Sequence, residues 1–145
     1  MIGLLQRVSQ ARVDVGGEVI GEIRRGLLVL VAVHRADEER DVTRLAERIL
    51  SYRVFPDAKD RLNLSVLDIA GGLLLVPQFT LTADTKKGTR ASFTRAAAPE
   101  IASAYFDQLV ATCSESLETV ATGRFGADMQ VSLTNDGPVT FWLES

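Results

Sequence analysis

The stretch "GLLQRVSQARVDVGGEVIGEI", residues 3–23, predicts two paired strands near the start of the chain, which would form the centre of a sheet. Apolar and polar residues alternate along 3–15 and again along 18–23, and Gly16-Gly17 lies between the two segments. Two glycines between alternating segments are typical of a two-residue β-hairpin turn. The next stretch, "GLLVLVAV" (26–33), is apolar without alternation, which indicates a strand buried on both faces.

Two helices are predicted to cover this sheet. Residues 37–55 begin with acidic residues and carry apolar side chains at the three- and four-residue spacing of an amphipathic helix, namely Val42, Leu45, Ala46, Ile49 and Leu50. A second helix is predicted from Pro99 to about Glu118, because proline is favoured in the first turn of a helix. Between them, "LLLVPQFTL" (73–81) predicts a buried strand interrupted at Pro77. No linker or repeat divides the chain, so residues 1–145 are predicted to form one α+β domain with two helices packed on a mainly antiparallel sheet.

The segment "TNDGPVTF" (134–141) has a proline inside what otherwise resembles a final strand. Proline cannot donate a hydrogen bond to a sheet, so it belongs at an edge, a bulge or a strand's first residue. Residues 135–138 are four consecutive turn formers. They predict a turn that joins 129–133 to 139–143 as a hairpin.

Composition narrows the possible functions. With 46% apolar residues, 24% charged residues and a formal net charge of −3, the chain has the composition of an ordinary soluble domain without overall attraction for nucleic acid. One cysteine, Cys113, and one histidine, His34, cannot build a disulfide framework or a Cys/His metal site. The first apolar run soon meets Arg7, and no stretch approaches the roughly 20 apolar residues of a membrane span. We therefore expect a cytoplasmic protein with no metal, no cofactor and no membrane partner.

No self-sufficient catalytic group stands out in the sequence. A Ser-His or Cys-His hydrolase needs a base, and His34 follows a buried strand in a predicted loop, where a lone histidine is more often incidental. Neither the Walker pattern nor GxGxxG is present. The segment 82–98 is the only concentrated basic stretch, and it contains Lys86, Lys87 and Arg90. Three polar, glycine-bearing turns are predicted to converge at one end of the sheet: 78–90, 123–128 and 135–138.

These turns carry a resemblance to a known family. "PQFTL" (77–81) is similar to the Ser-Gln-Phe-Thr-Leu motif of D-aminoacyl-tRNA deacylases, and "NDGPVT" (135–140) is similar to their Asn-x-Gly-Pro-Val-Thr motif. The similarity runs nearly end to end. It implies a barrel-like sheet, a homodimer with shared active sites, and hydrolysis of D-aminoacyl-tRNA and glycyl-tRNA. The implied partner is the 3′ end of aminoacylated tRNA, with no role for DNA.

The resemblance also implies how the substrate is selected. In the family the Gly-Pro bond is cis, which implies that Gly137 and Pro138 enter the active site of the neighbouring subunit with their carbonyl oxygens directed at the substrate. A rigid backbone close to the α-carbon excludes an L side chain by steric clash, whereas glycine passes. Arg7 is implied to hold the partner's Gly-Pro loop, because a guanidinium can bond several carbonyl groups at once.

By the same resemblance the "PQFTL" segment lines the pocket. Gln78 and Phe79 would lie beside the aminoacyl-adenosine end, with their backbone amides available to polarise the ester carbonyl. Thr80 would bind and position substrate, because the family relies on the terminal ribose 2′-hydroxyl of the tRNA. The apolar pocket wall is assigned to Phe125 and Met129, and contacts with acceptor-stem phosphates to Lys86, Lys87 and Arg90.

Two departures from the family pattern leave alternatives open. Pro77 stands where the family has Ser, and proline removes a hydroxyl and a backbone N–H from the pocket strand. A paralogue group specialised for L-alanine mischarged on a threonine tRNA also has this proline, but has Ala where this chain has Phe79. The segment "TRASF" (89–93) differs by one residue from the usual Arg-Pro-Ser-Phe. The alternatives are a shift of specificity toward L-alanyl-tRNA and a non-catalytic module that binds the tRNA end.

Overall fold

The computed structural model describes residues 1–145, and its longest hairpin lies where the sequence predicts it. Strand β1 (Ile2–Val15) pairs antiparallel with β2 (Glu18–Ile23) across Gly16 and Gly17. Both glycines have positive φ values, 57° and 84°, which a two-residue hairpin turn of this hand requires. The hairpin prediction is confirmed.

Strand β1 also pairs antiparallel with β3 (Gly26–Ala32), and β3 pairs in parallel with β6 (Gly72–Pro77). Strand β7 (Val120–Thr122) adds to β6, again in parallel. The order is therefore β2-β1-β3-β6-β7. A Cβ atom on Gly21 of β2 would lie 2.6 Å from the carbonyl oxygen of Thr122 in β7, so the two edges approach closely and the sheet curls into a nearly closed barrel.

The parallel pairs make the sheet mixed, whereas a mainly antiparallel sheet was predicted. The reason is topological. Helix α1 (Glu39–Ser51) lies between β3 and β6 in the chain, and α2 (Pro99–Ser114) lies between β6 and β7. A helical crossover carries the chain back to the end of the sheet at which the previous strand began. The next strand therefore runs parallel to the previous one. A short antiparallel pair, β4 (Phe55–Pro56) with β5 (Leu62–Leu64), forms a separate two-stranded sheet between α1 and β6.

The last strand, β8 (Gln130–Glu144), corrects the sequence prediction for residues 135–138. Instead of a hairpin, β8 is one strand of 15 residues that pairs antiparallel with β1 along almost its whole length. The register shifts between Gln6 and Val8, and again between Val8 and Gln10. The four turn formers therefore make a bulge in a continuous strand, which accommodates a proline because the ladder is interrupted there.

The core has two parts, one on each side of the central strands. Successive residues of a strand point to opposite faces. Leu27, Val29 and Val31 of β3 pack against the helices, and Leu28 packs inside the barrel. The five apolar positions predicted for α1 are all buried: Val42, Leu45, Ala46, Ile49 and Leu50. Burial on both faces explains why residues 26–33 lack alternation.

Cys113 lies on α2 and is completely buried in the helix side of the core. This location confirms the prediction that it is a core residue. Burial raises the pKa of its thiol from 9.0 to about 12, because desolvation disfavours the charged thiolate.

Native Cys113 is therefore expected to resist alkylation. At pH 8 a thiol with this raised pKa has on the order of a thousandfold less thiolate than an ordinary cysteine, and the thiolate is the reactive form. We expect iodoacetamide to modify the folded protein at least that much more slowly than the same protein in denaturant, measured by mass spectrometry. Equal rates in the two states would contradict the burial of this thiol.

Candidate active site

The "PQFTL" segment leaves the sheet at the carboxyl end of β6. The Gln78 N–H donates to the Val31 carbonyl at 2.7 Å, and residues Phe79–Thr82 then form one turn of 3₁₀ helix. The predicted strand 73–81 is thus wrong beyond Pro77. The buried Thr82 hydroxyl donates to the Phe79 carbonyl at 2.7 Å, which closes the turn.

This turn presents two backbone donors. The N–H groups of Phe79 and Thr80 begin the 3₁₀ helix and have no acceptor within the chain. N–H groups at the start of a helix turn have no partner inside it, so they are available to a ligand. Two adjacent N–H groups in this position can bind a carbonyl oxygen on which negative charge develops.

Thr80 is not placed as an activated nucleophile. Its exposed hydroxyl oxygen accepts a hydrogen bond from Gln78 Nε2, and no carboxylate or imidazole is hydrogen-bonded to it. A threonine hydroxyl without a base is a weak nucleophile. His34 forms an isolated β-bridge with Ala96, and its backbone N–H donates to the Asp37 carboxylate. The geometry leaves Thr80 free to bind a substrate, with no group beside it to remove its proton.

Two phenylalanines stand at the mouth of the turn. The Phe79 ring is 55% exposed, and its centroid lies 5.1 Å from that of Phe93, which is also exposed. Pro77, Gln78 and Phe79 line a narrow, largely apolar cavity of about 20 Å³ with Phe125, Phe106 and several alanines of the 96–102 segment. Exposed aromatic rings at such a mouth can stack against a nucleobase or an amino-acid ring.

The basic segment forms a loop next to these rings. Asp84 and Ser92 exchange backbone hydrogen bonds of 2.8 and 3.1 Å, which close the loop. The Ala97 N–H donates to the Val33 carbonyl at 3.0 Å, and this bond holds the segment that follows the loop against the end of β3. Lys86, Lys87 and Arg90 are exposed beyond this closure and take part in none of the four ion pairs of the structure.

The second predicted turn reaches the same end of the sheet. The Gly123 N–H donates to the Leu75 carbonyl at 2.8 Å, and the Arg124 N–H approaches Met129 Sδ at 3.3 Å. A Cβ atom on Gly123 would lie 2.7 Å from Met129 Sδ and 3.4 Å from Pro77 Cδ, so only glycine leaves room for both. Phe125 lines the cavity, whereas Met129 packs against the barrel interior.

The third turn is held by Asn135. Its Oδ1 accepts a hydrogen bond from the Val139 N–H at 2.7 Å, and its Nδ2 donates to Thr140 Oγ1 at 2.9 Å and to Gln6 Oε1 at 3.3 Å. These bonds bridge the bulge, where the ladder with β1 is interrupted. The sequence pattern indicates Asn135 only as a turn former, whereas its side-chain bonds across the bulge emerge from the tertiary structure. Gly137, with a φ of 149°, and Pro138 are both exposed, and the bond between them is cis.

Arg7 fixes the same turn from β1. Its Nε donates to the Asp136 carbonyl at 2.8 Å, and one terminal nitrogen donates to the Val54 carbonyl at 2.7 Å. The guanidinium therefore contacts the Gly-Pro turn of its own chain. A contact with the partner's turn remains a prediction.

Only two of the three predicted turns converge within one chain. Pro77 pairs with Val31, which pairs with Gly3 of β1. Gly137 lies in the bulge between Asn135 and Thr140, which pair with Val8 and Gln6 of β1. At about 3.3 Å per residue and 4.8 Å per strand, the two motifs are separated by roughly 13 Å along β1 and roughly 14 Å across the sheet. The register alone keeps Gly137-Pro138 away from the pocket of the same chain.

The turn aspartates are occupied by local hydrogen bonds. Asp68 accepts from the N–H and the hydroxyl of Ser65, and these bonds lower its pKa. Asp84 accepts from the Lys86 N–H. The carboxylates of Asp68 and Asp84 therefore stabilise turns.

No cluster of three or more His, Cys, Asp or Glu side chains is arranged to hold a metal ion. No helix has both the length and the apolar character to cross a membrane.

Comparison with known proteins identifies close relatives. The family model described as D-Tyr-tRNA(Tyr) deacylase matches residues 4–144. The chain is 62% identical to the D-aminoacyl-tRNA deacylase of Alkalilimnicola ehrlichii, covering 100% of this chain and 97% of the relative. It is 57% identical to the D-aminoacyl-tRNA deacylase of Vibrio cholerae strain O395, covering 100% of both chains.

Two solved structures are also similar. One, titled c-Myc DNA Unwinding Element Binding Protein, superposes with a TM-score of 0.95 at 37% identity and covers 100% of this chain and 99% of the other. A second, titled as a probable eukaryotic D-amino acid tRNA deacylase, superposes with a TM-score of 0.85 at 17% identity over 99% and 98% of the chains. The second likeness shows a shared fold.

Proposed function

The chain belongs to the D-Tyr-tRNA(Tyr) deacylase family, and we propose that it removes both D-amino acids and glycine from tRNA. The curated relatives hydrolyse the ester of D-aminoacyl-tRNA. In our proposal each active site is shared by two subunits. The observation that carries this proposal is the pair of free N–H groups of Phe79 and Thr80 beside an exposed aromatic ring. The pair fits the ester carbonyl, and the rings of Phe79 and Phe93 fit the terminal adenosine or the amino-acid side chain.

The chemistry is assisted by the RNA. No base contacts Thr80, so the protein does not supply the nucleophile through this residue. We assign the assisting group to the terminal ribose 2′-hydroxyl, which helps water to attack the ester carbonyl. The carbonyl oxygen gains charge against the two N–H groups, the bond to the ribose 3′-oxygen breaks, and free amino acid and tRNA are released.

A second subunit supplies the chirality filter. Because the Gly137-Pro138 turn is distant from the pocket of its own chain and exposed, it can enter the pocket of another copy. Arg7 and Asn135 hold it rigid from behind. A rigid backbone wall leaves no room for an L side chain at the α-carbon but admits a D side chain, which points the other way, and glycine, which has none.

The face of the sheet gives a surface for this second copy. Leu4 of β1 pairs with Leu30 of β3 on one side and with Trp142 of β8 on the other, so the three side chains share one face. Trp142 is 49% exposed, and Leu4 and Leu30 are only partly buried. A face with an exposed tryptophan and partly exposed leucines is typical of a homodimer interface.

The first test is ester release by chelator-treated protein. We expect rapid loss of D-tyrosyl and glycyl esters from tRNA, and sparing of the L-tyrosyl ester by a factor of about 100 or more, because a steric clash in a rigid site is costly. Hydrolysis of L-alanyl-tRNA alone would instead favour the alternative based on Pro77, and Pro77→Ser should then move the preference. Binding of charged tRNA without loss of any ester would favour the non-catalytic module.

Replacement of Thr80 tests the role of its hydroxyl. We expect Thr80→Ala to keep activity within about tenfold of wild type, because only a positioning contact is lost. A nucleophile would leave an essentially inactive enzyme. Thr85→Ala, in the exposed basic loop, is the matched control, and kcat on D-tyrosyl-tRNA is the measurement.

Mixing two inactive variants tests whether the site is shared. Pro138→Trp places a bulky ring in the partner's pocket, and Phe79→Asp disables the pocket of its own chain. In a heterodimer one of the two sites keeps an intact pocket and an intact turn that face each other. About half of the dimers in a 1:1 mixture refolded together are heterodimers, so we expect recovery of about a quarter of wild-type activity. Each variant refolded alone is the control. Absence of recovery, with heterodimers present by native mass spectrometry, would place the whole site within one chain.

A further inference from the structure

A wide concave surface of the chain lies away from the aminoacyl pocket. It is a polar groove of about 850 Å³ between the turn that joins β2 to β3 and the segment that leads into β6. The residues that line it include Arg24 and Arg25, which follow β2, and Gln10, Ser132 and Thr134 of β1 and β8. Nothing in the proposed chemistry uses this groove.

The groove is positively charged, although the chain as a whole is negative. Three arginines line it, Arg12, Arg24 and Arg25, against one carboxylate, Glu22. Arg12 is paired with Asp14, at 3.1 Å. Arg24 and Arg25 are exposed and take part in none of the four ion pairs, so no carboxylate contacts either guanidinium and the arginines outnumber the one carboxylate of the groove. A local excess of arginine on an acidic chain indicates an anionic ligand.

The groove adjoins the Gly-Pro turn. Thr134, on its wall, pairs with Gln10 and precedes Gly137 by three residues, or at most roughly 10 Å of chain. The Arg25 guanidinium, which also lines the groove, lies 5.4 Å from the centre of the Phe55 ring. Phe55 follows Val54, whose carbonyl accepts the Arg7 hydrogen bond that supports the turn. One continuous set of contacts thus joins the groove to the turn.

We propose that this groove binds the sugar-phosphate backbone of the tRNA acceptor end, with Arg24 and Arg25 as phosphate contacts. The inference rests on the proposed function. When the Gly137-Pro138 turn completes the partner's pocket, the groove of the same chain lies beside that pocket, where the nucleotides that carry the ester must pass. Guanidinium groups bind phosphate oxygens in pairs, and the hydroxyls of Ser132 and Thr134 can bind phosphate or ribose.

The test compares a phosphate-bearing substrate with one that lacks phosphates. For Arg24→Glu/Arg25→Glu we expect KM for D-tyrosyl-tRNA to rise at least tenfold with kcat changed less than twofold, while hydrolysis of 3′-D-tyrosyl-adenosine is unchanged. The slope of log KM against log salt should become shallower by about one for each lost phosphate contact. Arg44→Glu, an exposed charge reversal on α1, is the matched control and should leave KM unchanged.

Unchanged KM and salt slope in the double variant would overturn the proposal. An equal loss of activity on the adenosine ester would also overturn it, because the effect would then lie in the pocket or in the fold. If the Glu variant folds poorly, Arg24→Gln/Arg25→Gln carries the same comparison. If wild-type protein hydrolyses no ester, the proposed function fails independently. Filter binding of uncharged tRNA then decides the groove, with weaker binding by the double variant supporting it and equal binding overturning it.

Discussion

The pairing of both backbone edges of strand β1 holds the sheet together. One edge bonds to β3 along its first half and to β2 along its second half, and the other edge bonds to β8 almost throughout. A strand that changes partners midway must bend, and the bend curls the sheet into a barrel. The helices then cover the outer face of β3 and β6, and the apolar residues of the inner face close the barrel.

The same pairing decides where the Gly-Pro turn lies. Strand β8 follows β1 on both sides of residues 135–138, so these residues cannot fold away as a hairpin and instead bulge from a continuous edge. Inside the bulge, the side chain of Asn135 replaces the missing ladder bonds, and Arg7 bonds to the Asp136 carbonyl. A proline is tolerated because its missing N–H falls where the ladder is interrupted. The bulge is thus rigid yet exposed, as a wall that selects a substrate by its shape must be.

Backbone groups dominate the proposed chemistry. The donors proposed to bind the ester are the N–H groups of Phe79 and Thr80, and the proposed filter is the Gly137-Pro138 backbone. Backbone positions are set by the fold and not by side-chain identity, so this chemistry requires neither a histidine base nor a pair of carboxylates. Side chains position these groups: Thr82 closes the 3₁₀ turn, and Phe93 packs against Phe79.

Local sequence patterns predict the hairpin at Gly16-Gly17, both helices, the buried strand 26–33 and the two family motifs, because each depends on residues close together in the chain. Three features emerge from long-range contacts instead: the parallel pairing of β3 with β6, the continuity of β8, and the end of β6 at Pro77. The tertiary structure also separated the "PQFTL" and "NDGPVT" motifs within one chain, although their pattern favoured convergence. The physical reason is that strand register and pairing are set by contacts between residues distant in sequence, which local propensity does not encode.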